Sequence, residues 1–233
     1  MKSQTLDRIL AARDGKSPAA LVTDLESGAQ SLLVDGTLVE GAAVPDEVLE
    51  AVSDALRKDK GRIVEGASGR RFIQVFNPPK RMIVVGAVHI SQPLVQMASL
   101  AGYDVTLVDP RGAWATDARF PDTQIDRRWP DEALEDLAPD TRTAVITLTH
   151  DPKLDDPALA VALKSPAFYI GALGSTRTHA KRVDRLTAEG FEEAEIGRIR
   201  GPIGLAIGAV SPAEIAISIM AEVTRHLHAV EPA

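Results

Sequence analysis

The stretch RMIVVGAVHISQPL (81–94) decides the fold. Met82, Ile83, Val84 and Val85 are apolar without alternation, which reads as a strand covered on both faces. They run into Gly86, and a helical pattern follows from Pro93. Strand, glycine turn and helix in that order open a β-α unit, at the place where a dinucleotide-binding protein carries G-x-G-x-x-G. Here the six positions read Gly86-Ala87-Val88-His89-Ile90-Ser91, with one glycine of three. The second glycine of that fingerprint lets a pyrophosphate approach bare backbone. Val88 stands in its place, and its branched side chain obstructs such an approach.

Downstream, strands and helices alternate. Strands are predicted over 103–108, 144–148 and 167–170, and helices over 93–101, 132–137, 159–164, 178–189 and 212–226. Repeated β-α units with apolar strands specify a doubly wound α/β fold, a parallel sheet with helices on both faces. Upstream, Pro78 and Pro79 follow Asn77, and two prolines in a row favour an extended linker. They divide the chain into a small α+β region, 1–77, and a larger domain, 78–233. In the small region helices are predicted over 5–13 and 46–58, and strands over 19–24, 29–34 and 70–76. Asp35-Gly36 is a hairpin signal.

The 233 residues carry a net charge of −7 and only 4% aromatics, which argues against a nucleic-acid surface and base-stacking platforms. The absence of cysteine excludes disulfides, thiolate metal ligands and a cysteine nucleophile, and fits a reducing compartment. The start, MKSQTLDRILAARDGK, lacks the apolar core of a secretory signal, and no apolar run has the length of a membrane span. The expectation is a soluble cytoplasmic protein.

In open α/β sheets ligands bind beyond the carboxyl ends of the strands. Four loops lie there. The first holds Gly86 and His89. The second holds Asp109 and Arg111. Asp109 follows Gly86 by twenty-three residues, near where a ribose-binding acid would sit, while Arg111 equally fits as its salt-bridge partner. The third holds His150 and Asp151. His89 reads either as a hydrogen-bonded loop residue or, with His150, as part of one shared cleft with Asp109, Arg111 and Asp151. The fourth loop holds Gly171, Gly174, Ser175, Thr176 and Arg177 ahead of a helix, where unpaired amides and the helix dipole favour an anion. Arg182 adds charge. The alternative is an ordinary capped turn. Ser211, Pro212 and Glu214 read as a capping box, not as catalytic groups. The glycine-rich 201–209 segment offers backbone for a ligand wall or a subunit contact. His226 and His228 suit the end of the last helix. No metal motif or catalytic triad is visible.

Five stretches together resemble the XdhC/CoxI family, accessory factors of xanthine dehydrogenase and related molybdenum hydroxylases. They are VDPRGAWATDARFP (108–121), THDPKLDDPAL (149–159), YIGALGSTRTHAKR (169–182), RIRGPIGLAIGA (198–209) and SPAEIAISIMAEV (211–223). The resemblance implies a Rossmann-like larger domain and a chaperone-like factor, not a catalyst. It implies binding of molybdenum cofactor (molybdopterin), assistance in its sulfuration, and delivery to an apo molybdenum hydroxylase. A cysteine desulfurase is an implied partner and a homodimer the implied assembly; nucleic acid and membrane are not. The family commonly writes Gly-Ala-Gly-His at the first loop, so Val88 departs from it. The Gly-Ser-Ser-Pro-Arg-like and Gly-Gly-x-Val-Glu stretches of the family's N-terminal part are replaced by VTDLESGAQSLLVDGTLVEG (22–41) and GAAVPDEVLE (41–50). A shortened member working beside a fuller paralogue fits that reduction. Two other functions stand beside this one: an NAD(P)-dependent oxidoreductase, from fold and Asp109, and an assembly scaffold for the hydroxylase without bound cofactor.

Overall fold

A computed structural model describes residues 3–66 and 69–228. The chain divides into two compact units, Met1–Pro78 and Pro79–Ala233. The first contains α1 (Ser3–Asp14), β1 (Ala19–Asp24), β2 (Gln30–Val34), β3 (Thr37–Glu40), α2 (Asp46–Lys58), β4 (Arg62–Gly66) and β5 (Gly69–Phe76). Its strands form an antiparallel sheet in the order β3-β2-β1-β5-β4. Side chains alternate along β1 as pleating requires. Ala19 and Leu21 meet Ile9 and Ala12 of α1, while Ala20 and Val22 meet Val48, Val52 and Ala55 of α2. Asp35 and Gly36 turn β2 into β3 with φ of 49° and 74°, the paired left-handed geometry that a two-residue hairpin needs.

The second unit contains β6 (Lys80–Val85), α3 (Ser91–Leu100), β7 (Tyr103–Val108), β8 (Gln124–Asp126), α4 (Pro130–Leu137) and β9 (Thr143–Thr147). It continues through α5 (Pro152–Lys164), β10 (Tyr169–Ala172), α6 (Thr176–Ala188), α7 (Glu193–Ile196), β11 (Ile199–Arg200) and α8 (Pro212–Leu227). All ladders are parallel, in the order β11-β10-β9-β6-β7-β8. Counted within this unit the order is 6-5-4-1-2-3, the doubly wound dinucleotide-fold topology with its switch point between β6 and β9. Met82 and Val84 of β6 pack with Leu94 and Ala98 of α3 and with Ile219 and Val223 of α8. Ile83 and Val85 face the other layer, with Leu134 of α4, Leu159 of α5 and Leu186 of α6. Burying four such side chains at about 1.5–3 kcal/mol each makes this strand the spine of the unit. Among the described residues no helix is long and apolar enough to cross a membrane.

Candidate functional site

The first and second loops are locked together by Asp109, which is fully buried at the end of β7. Its Oδ2 accepts the Ala87 amide at 2.7 Å and Arg111 Nη2 at 2.8 Å. Its Oδ1 accepts the Arg111 amide and Nε, both at 2.9 Å. Burial pushes this carboxyl up, but the bonds from Arg111 and from the two amides outweigh it and hold it below its ordinary pKa. Every favourable acceptor direction is used inside the protein, so Asp109 is a salt-bridge partner of Arg111 and not a free ribose acceptor. Val88 packs against the core layer beneath α3. Both features oppose the dinucleotide reading. Arg119 strengthens the same junction by donating from Nη1 to the carbonyls of Ala87 (2.9 Å) and Trp114 (2.6 Å).

Gly86 joins the first loop to the third. Its φ is 109°, and a Cβ there would lie 2.5 Å from Thr149 Cγ2. Only glycine suits both the backbone and the gap. In the third loop Asp155, itself buried in the first turn of α5, collects the donors of the turn: Thr149 Oγ1 at 2.7 Å, the Thr149 amide at 3.3 Å and the His150 amide at 3.1 Å. This network holds His150 in a left-handed conformation with φ of 61°. Burial raises the Asp155 pKa against those hydrogen bonds and the nearby Arg182. Asp151 caps α5, its Oδ1 accepting the Lys153 amide at 3.0 Å. Arg111 feels the charges of Asp151 and Asp155 after that of Asp109, so the second and third loops share one electrostatic environment.

In the fourth loop Gly171 belongs to β10, with its Cβ position filled by Ile203 Cδ1 (2.5 Å) and Tyr169 Cε1 (2.7 Å). It is a packing glycine in the strand, upstream of the turn. Gly174 has φ of 145° and lies against Thr178. Ser175 caps α6, its Oγ accepting the Thr178 amide at 3.1 Å. Thr176 and Arg177 begin the helix, where amides have no intrahelical acceptor.

Between the start of α5 and the flank of α6 lies a cavity of about 250 Å³, lined by His150, Pro152, Asp155, Arg177, Thr178, Lys181, Arg182 and Arg185. Arg182 is 2% exposed. Its Nη2 donates to the Leu173 carbonyl at 3.0 Å, and the nearest Asp155 oxygen is 3.8 Å away, beyond hydrogen-bond reach. Its Nε and Nη1 are buried without an acceptor among the described residues. Desolvation pulls its pKa down against the pull of Asp155 and Asp156.

The structure therefore links Gly86, Asp109, Arg111 and Asp151 through adjoining loops, and brings His150 and Arg177 onto one cavity. His89 is exposed beside α3 and lines no part of that cavity, nor do Gly174, Ser175 and Thr176. Arg182 was read in the sequence only as added charge, and Lys181 and Asp155 were not singled out, although 177, 178, 181, 182 and 185 repeat at helical spacing on one face. The 201–209 segment is pinned by Glu222 of α8, which accepts Tyr169 Oη at 2.6 Å and the Gly204 amide at 2.8 Å.

The family model for the XdhC Rossmann domain matches residues 82–223. The chain belongs to the XdhC family. The chain is similar to a molybdenum cofactor insertion chaperone, PaoD of Escherichia coli (strain K12), 34% identical over 148 residues, 64% of this chain and 40% of PaoD. A probable xanthine dehydrogenase subunit of Bacillus subtilis (strain 168) is 32% identical over 153 residues, 65% of this chain and 44% of that one. YqeB of Escherichia coli (strain K12) is 28% identical over 223 residues, covering 86% and 40%. The chain thus spans about two-fifths of the length of the curated relatives it matches. A crystal structure of a xanthine dehydrogenase from Bacillus halodurans superposes with a TM-score of 0.75 at 25% identity, over 97% of this chain and 67% of that one.

Proposed function

We propose that this chain is an accessory factor that binds molybdenum cofactor and assists its sulfuration and insertion into a xanthine dehydrogenase-type molybdenum hydroxylase. The observation that carries the reading is the cationic, strand-end cavity within an XdhC domain, with two buried guanidinium donors that find no acceptor among the described residues. Molybdenum cofactor is a pterin bearing a phosphate, and donors of this kind suit its anionic end. The remainder would lie along the neighbouring loops, over Arg111 and His150, with His89 at the far side of the same edge. Gly86 and Asp109 shape that edge from beneath, and Asp151 caps the helix that borders it. The residues at the start of α6, Gly174, Ser175, Thr176 and Arg177, contribute a turn and a charge, with Gly171 supporting them from the strand. The partners of this reading are an apo molybdenum hydroxylase, a cysteine desulfurase and a second copy of the chain.

The test is what the protein carries out of cells that make the cofactor. Purified protein should hold pterin by mass spectrometry and molybdenum by metal analysis, and should restore activity to an apo-hydroxylase. Protein that binds the hydroxylase but never carries pterin or molybdenum is an assembly scaffold, and the proposal fails.

A further inference from the structure

We infer that the cavity between α5 and α6 is a site for a terminal phosphate monoester in its dianionic form. The inference rests on the functional reading above only for what the phosphate is attached to.

Charge sets the class of ligand. Arg177, Lys181, Arg182 and Arg185 contribute four cationic groups to the wall. Arg185 is answered by Asp156, with Nη2 donating to Oδ1 at 3.0 Å, and Asp155 lies near Arg182. Among the described residues Arg177 and Lys181 have no ion-pair partner, so two positive charges remain uncompensated. Asp155 spends its oxygens on Thr149 and His150, which is why it stands 3.8 Å from Arg182 instead of bonding to it. A cation so deeply buried needs hydrogen bonds as well as a counter-charge. A phosphate monoester brings two charges and three terminal oxygens, enough for Arg182 and for one or both of the exposed cations.

Size sets which end of a ligand enters. Pockets that enclose a whole drug-sized ligand have volumes of roughly 300–1,000 Å³, and this one has about 250 Å³. It takes an anionic end while the body of the ligand stays outside. A phosphodiester carries one charge and a second substituent, and fits neither the charge nor the volume. The first turns of two helices, α5 at Pro152 and α6 at Arg177, border the cavity and add to its preference for anions.

The experiment titrates the full chain with phenyl phosphate, inorganic phosphate and dimethyl phosphate, read by calorimetry and by phosphorus NMR. Wild type should bind the two dianions and bind the diester at least tenfold more weakly. Lys181→Ala, an exposed change that leaves the fold intact, and Arg182→Gln should each weaken phenyl phosphate tenfold or more. Equal affinity for monoester and diester, no binding of either dianion, or unchanged affinity in Lys181→Ala would overturn the inference. Binding of phenyl phosphate without retention of molybdenum cofactor sinks the functional reading and leaves this one standing. Cofactor bound with undiminished affinity by both variants does the reverse.

Discussion

Asp109 shows how one residue can occupy a familiar position and do different work. Its place after β7 was legible in the sequence, as was the choice between ribose and Arg111. The structure resolves that choice because all its favoured directions accept from Ala87 and Arg111. Sequence could not reveal this, since the Ala87 amide reaches it only through tertiary folding. Gly171 carries a similar lesson: it looked like a ligand-loop glycine, yet it lies in β10 with Ile203 and Tyr169 occupying the space a side chain would need. Gly171→Ala should therefore destabilise the protein by about 1–3 kcal/mol through overpacking, measured by urea unfolding. Ile203→Val in the same chain should recover part of that loss, and an unaffected midpoint in Gly171→Ala would remove the packing role. Gly174→Asp would strain the backbone as well as add charge, so it is a poor probe of anion binding. Arg177 is the cleaner probe, because its side chain is exposed. Losing one charge-assisted hydrogen bond of about 1.5–3 kcal/mol in Arg177→Ala corresponds to roughly tenfold to a hundredfold weaker phosphate binding with stability unchanged.

Among the elements, the long helices and buried strands were readable because their patterns are strong. The capping box of α8 was read directly from Ser211, Pro212 and Glu214, and the Glu214 carboxylate accepts the Ser211 and Val210 amides, both at 2.8 Å. Ser211→Ala should cost about 0.5–2 kcal/mol in unfolding free energy, with no change in phosphate binding. What escaped reading was short or exposed. β8 and β11 have three and two residues, too few for any periodicity, and β3 and β4 are the largely exposed edges of their sheet. Charge rather than burial marks β4. Asp54 of α2 accepts from Lys58 and from Arg62 of β4, both at 2.9 Å, and also pairs with Arg57. Hydrogen bonds from Lys58 and then Arg57 lower its pKa from 3.8 to about 2. A carboxylate depressed in this way stabilises the fold fully above its unfolded pKa, and that contribution disappears as pH falls through about 2. A carbon NMR titration of the Asp54 carboxyl should show its midpoint near 2. A midpoint at the ordinary aspartate value would mean that the bonds from Lys58 and Arg57 to Asp54 do not hold in solution.

At the scale of the whole molecule, the doubly wound sheet follows from one rule, that unbroken apolar strands need two covering layers. The rule leaves the outer surface of those layers open. Leu100 of α3, Ile217 of α8 and, in the loop before it, Ile207 and Val210 are exposed, and a groove lined by Met97, Ile217, Met220 and Ala221 runs beside α8. The homodimer proposed above would cover this face. Light scattering at micromolar concentration should then give twice the chain mass, and Ile217→Glu should reduce it to one; a wild-type monomer would contradict the dimer. The cavity at the sheet edge lies within a single chain, so its chemistry does not depend on that outcome. The central claim is that an XdhC domain holding a buried arginine, two of whose donors find no acceptor among the described residues, grips the phosphate end of molybdenum cofactor. Its most direct test is an anaerobic titration of isolated cofactor into wild type, Arg177→Ala and Lys181→Ala. Saturable binding to wild type, weakened at least tenfold in both variants whose thermal unfolding is unchanged, is the predicted result. No binding to wild type, or equal binding to all three, would contradict it.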